Sequence, residues 1–494
     1  MAPRPAVDRH RLRQAFEAIV GPDGVLSEPD ELLVYESDGL TLFRALADVV
    51  VFPRSTEEVA AAVRLANAEG LPFVARGAGT GLAGGCLPAE GGVVIALTRM
   101  NRILEIDYAN QLAVVEPGLV NLHLSEALQS RGFYYAPDPS SQLACTIGGN
   151  VANNSGGPHT LKYGVTTNHV LGLEVVLPDG EVVWLGGKVR DPQGYDLVGV
   201  FVGSEGTFGI ATKVVVRIVR RPEAVRTLLA VFDRLDRASQ TVAAITARGL
   251  TPAALEMIDQ LTIQAVEDAY GAGYPRDAAA ALLIELDGLS VGLDEEVERV
   301  IAACRDSGAR QVRLARDERE RQLLWKGRKA AFGAFGRISP AYMVMDGVIP
   351  RTRLPEVLRS VEEIARTHGL RVGNVFHAGD GNLHPNILYD PRIAGEVERV
   401  LAAGAAIMKA CVDVGGSISG EHGIGLEKRD FMPWIFSEAD LRAMAAVKAA
   451  FNPTGRCNPG KVFPTANSCV PGELGYQPHP LEESGLIQRL GSHR

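Results

Sequence analysis

The sequence predicts an α+β chain built as two successive domains, and three observations carry that expectation. Strand and helix signals alternate around glycine-rich loops from about residue 46 to 222. From 223 to 464 the texture changes to alanine-rich amphipathic helices separated by apolar strands. The 494 residues are 46% hydrophobic and 22% charged, enough for a sizeable core, yet 54 of them are glycine, a share of about 11% where ~7% is usual. No Gly-X-Y period or polar low-complexity tract accompanies that excess, which excludes collagen and wholesale disorder.

Residues 1–45 read as a helical lead-in. The first strong helix spans 53–70: Ser55 and Glu58 make a capping box, Val59, Ala62, Val63 and Ala66 recur at helical spacing, and Gly70 ends it. A strand at 72–75 leads into the glycine loop 76–85, and strands follow at 93–97 and 112–116. A helix at about 122–131 stops at Gly132, and a second loop rich in Gly and Asn spans 146–157. The apolar runs 170–177 and 181–185 flank Pro178-Asp179-Gly180 as a hairpin, and a strand at 210–219 closes the first domain near residue 222. In the second domain helices are expected near 236–248, 293–306, 354–368 and 396–413, with strands near 281–286 and 370–376. The Pro/Gly/Ser-rich stretch 465–494 reads as a tail.

Charge and cysteine content narrow the function classes. Lys and Arg number 50 against 59 Asp and Glu, a net charge of −9, which lacks the basic footprint of a nonspecific nucleic-acid binder. No apolar run approaches the ~20 residues of a membrane span. Met1 to Gln14 carries Arg4, Arg9, Arg11 and Arg13 with no apolar stretch behind them, so a cytoplasmic location is expected. The six cysteines form no CxxC pair and supply neither a zinc cage nor an iron–sulfur ligand set.

Gly79, Gly81 and Gly84 satisfy G-x-G-x-x-G after a strand, but the loop runs through Gly85-Cys86-Leu87-Pro88 to another strand rather than into a helix. A dinucleotide turn needs that helix, so the Rossmann reading fails. What remains is backbone laid bare for an anion, since successive N–H groups in a tight glycine loop form a nest. Loops of the same style recur at Pro137-Asp138-Pro139-Ser140-Ser141, Thr146 to Gly157 and Gly203-Ser204-Glu205-Gly206-Thr207, which suggests one long ligand.

These loops resemble the FAD-linked oxidase family of the vanillyl-alcohol-oxidase, or PCMH, type. The resemblance runs from about residue 46 to 464 and rests on Ala75-Arg76-Gly77-Ala78-Gly79-Thr80-Gly81, Gly148-Gly149-Asn150, Gly203 to Thr207 and Asn458-Pro459-Gly460-Lys461. It implies a PCMH-type FAD-binding domain over 46–222 and an α+β, ferredoxin-like substrate domain over 223–464. It also implies FAD, held noncovalently because the loop 76–85 contains no histidine to attach it. The implied contacts are Arg76, Gly77, Ala78, Gly79, Thr80 and Gly81 on the diphosphate, and Pro137, Ser141, Gly148, Gly149, Asn153 and Ser155 along the flavin. Glu205, Gly206 and Ile210 are implied on the adenine side, with Asn458 joining the set.

Three of the ten histidines fall within 46 residues: His377 and His384 in His-Ala-Gly-Asp-Gly-Asn-Leu-His, and His422 in Gly-Glu-His-Gly. If Gly379 to Asn382 is a four-residue turn, His377 pairs with His384, their Cβ atoms about 5 Å apart on one face, with Asn386 two residues along. Two such imidazoles and Glu421 could hold a divalent ion while leaving positions open. The alternative is that the histidines satisfy one another or backbone carbonyls.

This segment, with Gly415 to Gly425, Trp325 to Lys329 and Gly336 to Pro340, is similar to the D-2-hydroxyacid dehydrogenase branch, and most to the flavin subunits of bacterial glycolate oxidases. That resemblance implies His377, His384 and Glu421 as metal ligands, His422 as general base, Asn386 as a substrate contact and Arg328 as the carboxylate clamp. The metal could be zinc, iron(II) or manganese. Members acting on dicarboxylates carry a further lysine beside the stretch matching Tyr342-Met343-Val344-Met345; its absence here points to glycolate or D-lactate. The resemblance further implies a second flavin subunit and an iron–sulfur subunit feeding quinone at the inner face of the cell membrane. Two alternatives remain open: a stand-alone D-lactate dehydrogenase, and a noncatalytic flavin-binding subunit that relays electrons.

Overall fold

Three large sheets and two two-stranded ones are found in the residues that the computed structural model describes, 8–189, 194–464 and 488–489. The first has the order Val25–Leu26, Val49–Val51, Val93–Ala96, Phe73–Arg76, with the last three strands parallel. Parallel strands covered on both faces read as continuous apolar runs, and Val49, Val50 and Val51 are all fully buried. The helix Thr56–Ala68 packs on them through Val59, Ala62, Val63 and Ala66. Ser55 accepts from Glu58 N at 3.3 Å as expected, whereas Glu58 reaches back to Arg54 N at 2.7 Å, and the C-cap is Glu69 with Gly70 one residue beyond. The lead-in contributes more than its helix Arg9–Val20, because Val25–Leu26 forms the edge of this sheet.

The second sheet is antiparallel, in the order Val182–Gly186, Val170–Val176, Ile210–Arg217, Leu112–Val115, Ile103–Asp107. The expected hairpin is there, with Val182 opposite Val176 and Gly180 at φ 88 in its turn. The edge strand Ile103–Asp107 escapes a reading by alternation because both of its faces are partly exposed and it carries Glu105 and Asp107. The expected loop 146–157 instead opens with a helix, Ile147–Asn153. Thr146 caps it by accepting from Gly149 N at 3.3 Å, and Asn154 ends it at φ 51. Glycines 148 and 149 disguise this helix by composition; Gly148 is required there, because a Cβ would lie 2.6 Å from Pro117 Cβ.

The third sheet has nine strands, beginning in the order Gln311–Leu314, Ala224–Phe232, Ala280–Gly288, Ala254–Asp259, Arg371–His377, and Ala341–Val344, Gly347–Val348, Asn382–Leu383 and Pro385–Tyr389 extend it. Alternate residues of Ala224–Phe232 face different layers. Leu228, Ala230 and Phe232 meet the helices Leu235–Ala247, Leu293–Asp306, Leu354–Thr367 and Glu396–Asp413, while Leu229 and Val231 meet Gln260–Tyr270 and Glu318–Lys329. The α+β class and the four named helices of this half are as expected, and Gln260–Tyr270, Glu318–Lys329 and Glu438–Phe451 come in addition. The expected tail lies outside the described residues, apart from Gln488–Arg489, which pair with Phe43–Arg44. Among the described residues no helix is long and apolar enough to cross a membrane.

Candidate active site

A cavity of about 380 Å³ lies between the glycine loops of the first domain and the histidine cluster of the second. Arg76, Gly77, Ala78, Gly79, Thr80, Gly81, Ser141, Gly148, Gly149, Asn153, Ser155, Glu205 and Gly206 all line it, as do His384, Glu421 and His422. The loop fits a phosphate-bearing ligand. Gly79 has φ 71, and a side chain at Gly77 would run into Thr146 Oγ1, so the main chain is exposed where a nest is required. Arg76 is fixed at the cavity edge, donating to Ser37 O at 2.8 Å and to Cys86 Sγ at 3.2 Å.

Three expected FAD contacts sit off the cavity wall. Ile210 is in the hydrophobic core beside Val176, Pro137 offers its carbonyl to Asn121 Nδ2 at 3.0 Å, and Asn458 donates to Gly85 O at 2.9 Å and Glu205 O at 2.7 Å. Asn458 therefore ties two lining loops together.

The histidine hairpin has a register two residues from the one expected. His377 pairs with Asn382 and Asn374 with Pro385, so His384 stands opposite Val375, diagonal to His377. A slip of two preserves the face, whereas a slip of one would have reversed it. The two imidazoles remain neighbours, with ring centroids 5.2 Å apart. Glu421 Oε1 lies 3.2 Å from His377 Nε2 and 3.0 Å from His384 Nε2.

The opposite ring nitrogens are already engaged. His377 Nδ1 meets Glu256 at 2.9 Å, and His384 Nδ1 meets Met345 O at 3.2 Å. A carboxylate or carbonyl behind each imidazole is what orients a metal-ligating histidine. The donor set His377, His384 and Glu421, its ligand atoms within 4.8 Å of one another, thus fits a divalent cation. Burial opposes the charged forms of His377 and Glu421. Even so, Glu256 and Glu421 raise His377 well above its ordinary range, and His377 and His384 hold Glu421 well below the carboxylate range.

His422 stacks on His384, with ring centroids 4.9 Å apart and planes within 2°. Burial lowers its imidazole to about 4 against the opposing pull of Asp346, so it is neutral near pH 7. Its Nδ1 is buried without a hydrogen-bond partner among the described residues.

Two carboxylates that motif reading does not find organise this centre. Asp346, wholly buried, accepts from Ser419 Oγ at 2.7 Å, Gly420 N at 3.0 Å, His422 N at 2.9 Å and Asn382 Nδ2 at 2.8 Å, with Lys428 Nζ at 3.3 Å. Glu256 bridges His377 to Arg328, whose Nε donates to it at 2.6 Å. Arg328 is therefore off the cavity wall and fully buried; its Nη1 has no acceptor among the described residues. Asn386 is also buried behind the wall. Its Nδ2 donates to His384 O at 2.7 Å, and its Oδ1 is unpaired among the described residues. The signal available in the sequence was a carboxylate inside an apolar run, Ala-Leu-Glu-Met-Ile and Met-Val-Met-Asp.

Comparison with known proteins accounts for both halves of the cavity. Residues 47–186 match the model of an FAD binding domain, and residues 221–462 match the C-terminal domain of FAD linked oxidases. The chain is 48% identical over 466 residues to the glycolate oxidase subunit GlcD of Escherichia coli K12, covering 94% of this chain and 93% of that one. It is 41% identical to GlcD of Bacillus subtilis (92% and 96% covered) and 34% identical to a D-lactate dehydrogenase of Anaerostipes hadrus (88% and 91% covered). The fold is that of p-cresol methylhydroxylase, at a TM-score of 0.78 and 19% identity over 94% of this chain and 99% of that one. With a flavin-binding half and an oxidase half both present, the chain belongs to the PCMH-type FAD-linked oxidases and is an FAD-dependent oxidoreductase.

Proposed function

We propose that this protein oxidises a small (R)-2-hydroxy acid, glycolate or D-lactate, to the 2-oxo acid. One observation carries the reading: a neutral imidazole, His422, whose Nδ1 has no hydrogen-bond partner among the described residues, opens with His384 and Glu421 onto the same cavity as the flavin loops. The names of the relatives, glycolate oxidase subunit and D-lactate dehydrogenase, agree with it.

When bound, FAD supplies the acceptor for the two electrons that leave the substrate carbon as hydride. A divalent cation held by His377, His384 and Glu421 would supply a positive charge that favours the alkoxide form of the hydroxyl. The residues of the chain do the rest. His422 takes the hydroxyl proton, Asp346 holds its backbone, and Glu256 keeps His377 in one orientation. Arg328 and Asn386, the expected substrate contacts, stand behind the wall and act through the histidines, Arg328 by holding Glu256 against His377 and Asn386 by donating to His384 O. Phe332, Tyr342 and Val344 line the same cavity, which suits a short apolar substituent at C2.

With no cluster-forming cysteines, the chain would hand its electrons to a non-oxygen acceptor through a second flavin subunit and an iron–sulfur subunit, or to quinone. In that assembly it would lie in the cytoplasm, against the inner face of the membrane. The test is anaerobic flavin bleaching by a panel of acids. Glycolate or D-lactate should bleach it, with D-2-hydroxyglutarate much slower. Bleaching by D-lactate alone would select a D-lactate dehydrogenase, and flavin oxidised by every acid would leave an electron-relay subunit.

A further inference from the structure

We infer that Glu205, which comes from the FAD-binding domain, is a positioning residue for the His422 loop of the substrate domain. The inference rests on the reading of His422 as the proton acceptor and adds what fixes that residue in space.

Glu205 stands at φ 53, a left-handed conformation that a residue with a side chain adopts at a cost. Its neighbours hold it there, with Glu205 N donating to Ala152 O at 2.9 Å and Asn458 Nδ2 donating to Glu205 O at 2.7 Å. The carboxylate so aimed is buried and crosses to the other domain. Oε1 accepts from Ile424 N and Oε2 from Gly425 N, each at 2.6 Å. Burial raises the Glu205 carboxyl against the opposing pull of these two N–H groups, and two parallel bonds fix orientation as well as distance.

The contact is close on both sides. Gly423 has φ 86 and a Cβ there would lie 3.0 Å from Glu205 Oε1, while a Cβ at Gly425 would collide with Ala83 O. Ala83 O also accepts from Leu426 N at 2.8 Å, and Asn153 Nδ2 donates to His422 O at 3.3 Å. Its own domain holds His422 at its N–H, through Asp346, and at its ring, stacked on His384, while Ser419 and Lys428 hold the neighbouring Gly423. The His422 carbonyl and the N–H groups of Ile424 and Gly425 are held by the FAD-binding domain. The side of the loop that faces the flavin cavity is thus set in part by Glu205, whose own loop lines that cavity.

Two acceptor oxygens face two N–H groups, so a carboxylamide keeps one bond and sets an N–H against an N–H. In FAD-loaded protein, Glu205→Ala should slow anaerobic flavin reduction by about 10²-fold with KM little changed, the usual consequence of misplacing a group by about 1 Å. Glu205→Gln should fall between it and the wild type. Independently of activity, amide hydrogen exchange across residues 419–428 should quicken in both variants while bound FAD per chain stays constant. Unchanged exchange and unchanged reduction would overturn the role. So would loss of FAD with a normal rate per bound flavin, which would make Glu205 a cofactor contact. Should Glu205→Ala fail to fold, Glu205→Gln carries both measurements. Wild-type flavin that no 2-hydroxy acid reduces would overturn the reading of His422 and the positioning of a base with it, whatever the exchange shows.

Discussion

At His422 the chemistry depends on burial. An imidazole lowered to about 4 is neutral at physiological pH, and with Nδ1 unpaired it has an acceptor site to offer. His422→Asn in FAD-loaded protein should lower the rate of flavin reduction by about 10²–10⁴-fold, the range for a lost general base, with FAD content unchanged in the absorption spectrum. Asp346 has a different weight. Its carboxylate balances the buried Lys428 ammonium and gathers the loop N–H groups. Asp346→Asn leaves that ammonium less compensated, and urea denaturation should show a loss of about 3–5 kcal/mol. The histidines and Glu421 are legible in the sequence because their types and spacing are rare together. Asp346 and Glu256 are not, since each is a single carboxylate whose role arises only when distant strands meet.

Among the elements, the amphipathic helices are where periodicity puts them, because an apolar stripe at helical spacing is a local property. The helix Ile147–Asn153 is misread for the opposite reason. Gly148 is required by a tertiary approach, its close contact with Pro117, which no local pattern announces. The cavity loop and this helix are also coupled. A methyl at Gly77 would strike the capping hydroxyl of Thr146, so Gly77→Ala should cost about 1 kcal/mol through the lost cap. The same change should weaken FAD binding, and titration of apoprotein with FAD alongside thermal unfolding separates the two effects. The histidine hairpin shows how far register reasoning extends: the turn is displaced by one residue and each cross-strand partner by two, yet the face survives because the strand period is also two.

Across the whole molecule, the two domains meet through buried charge as well as through Glu205. His159 Nδ1 contacts Asp138 at 2.9 Å within the first domain, and its Nε2 reaches Glu285 of the second at 3.3 Å. Arg321 and Trp325 close on the same Glu285, and Lys329 stands 3.7 Å from Asp138. Burial opposes the imidazolium, but Asp138 and Glu285 outweigh it and raise His159 from 6.5 to about 10. A raised folded-state value stabilises fully below pH 6.5 and is lost as pH climbs through about 10. The wild type should therefore lead His159→Gln in thermal midpoint at pH 6.5, and the lead should shrink toward pH 10. This network is not legible in the sequence, because it is written across four distant segments. The central claim is that a cation centre and a neutral base act on the substrate beside the flavin. It is tested most directly by anaerobic single-turnover reduction with glycolate, in protein loaded with a divalent metal and in the same protein after chelation. Rapid bleaching that chelation slows by about 10²-fold or more and metal restores is the predicted result. Equal rates with and without the metal would contradict it.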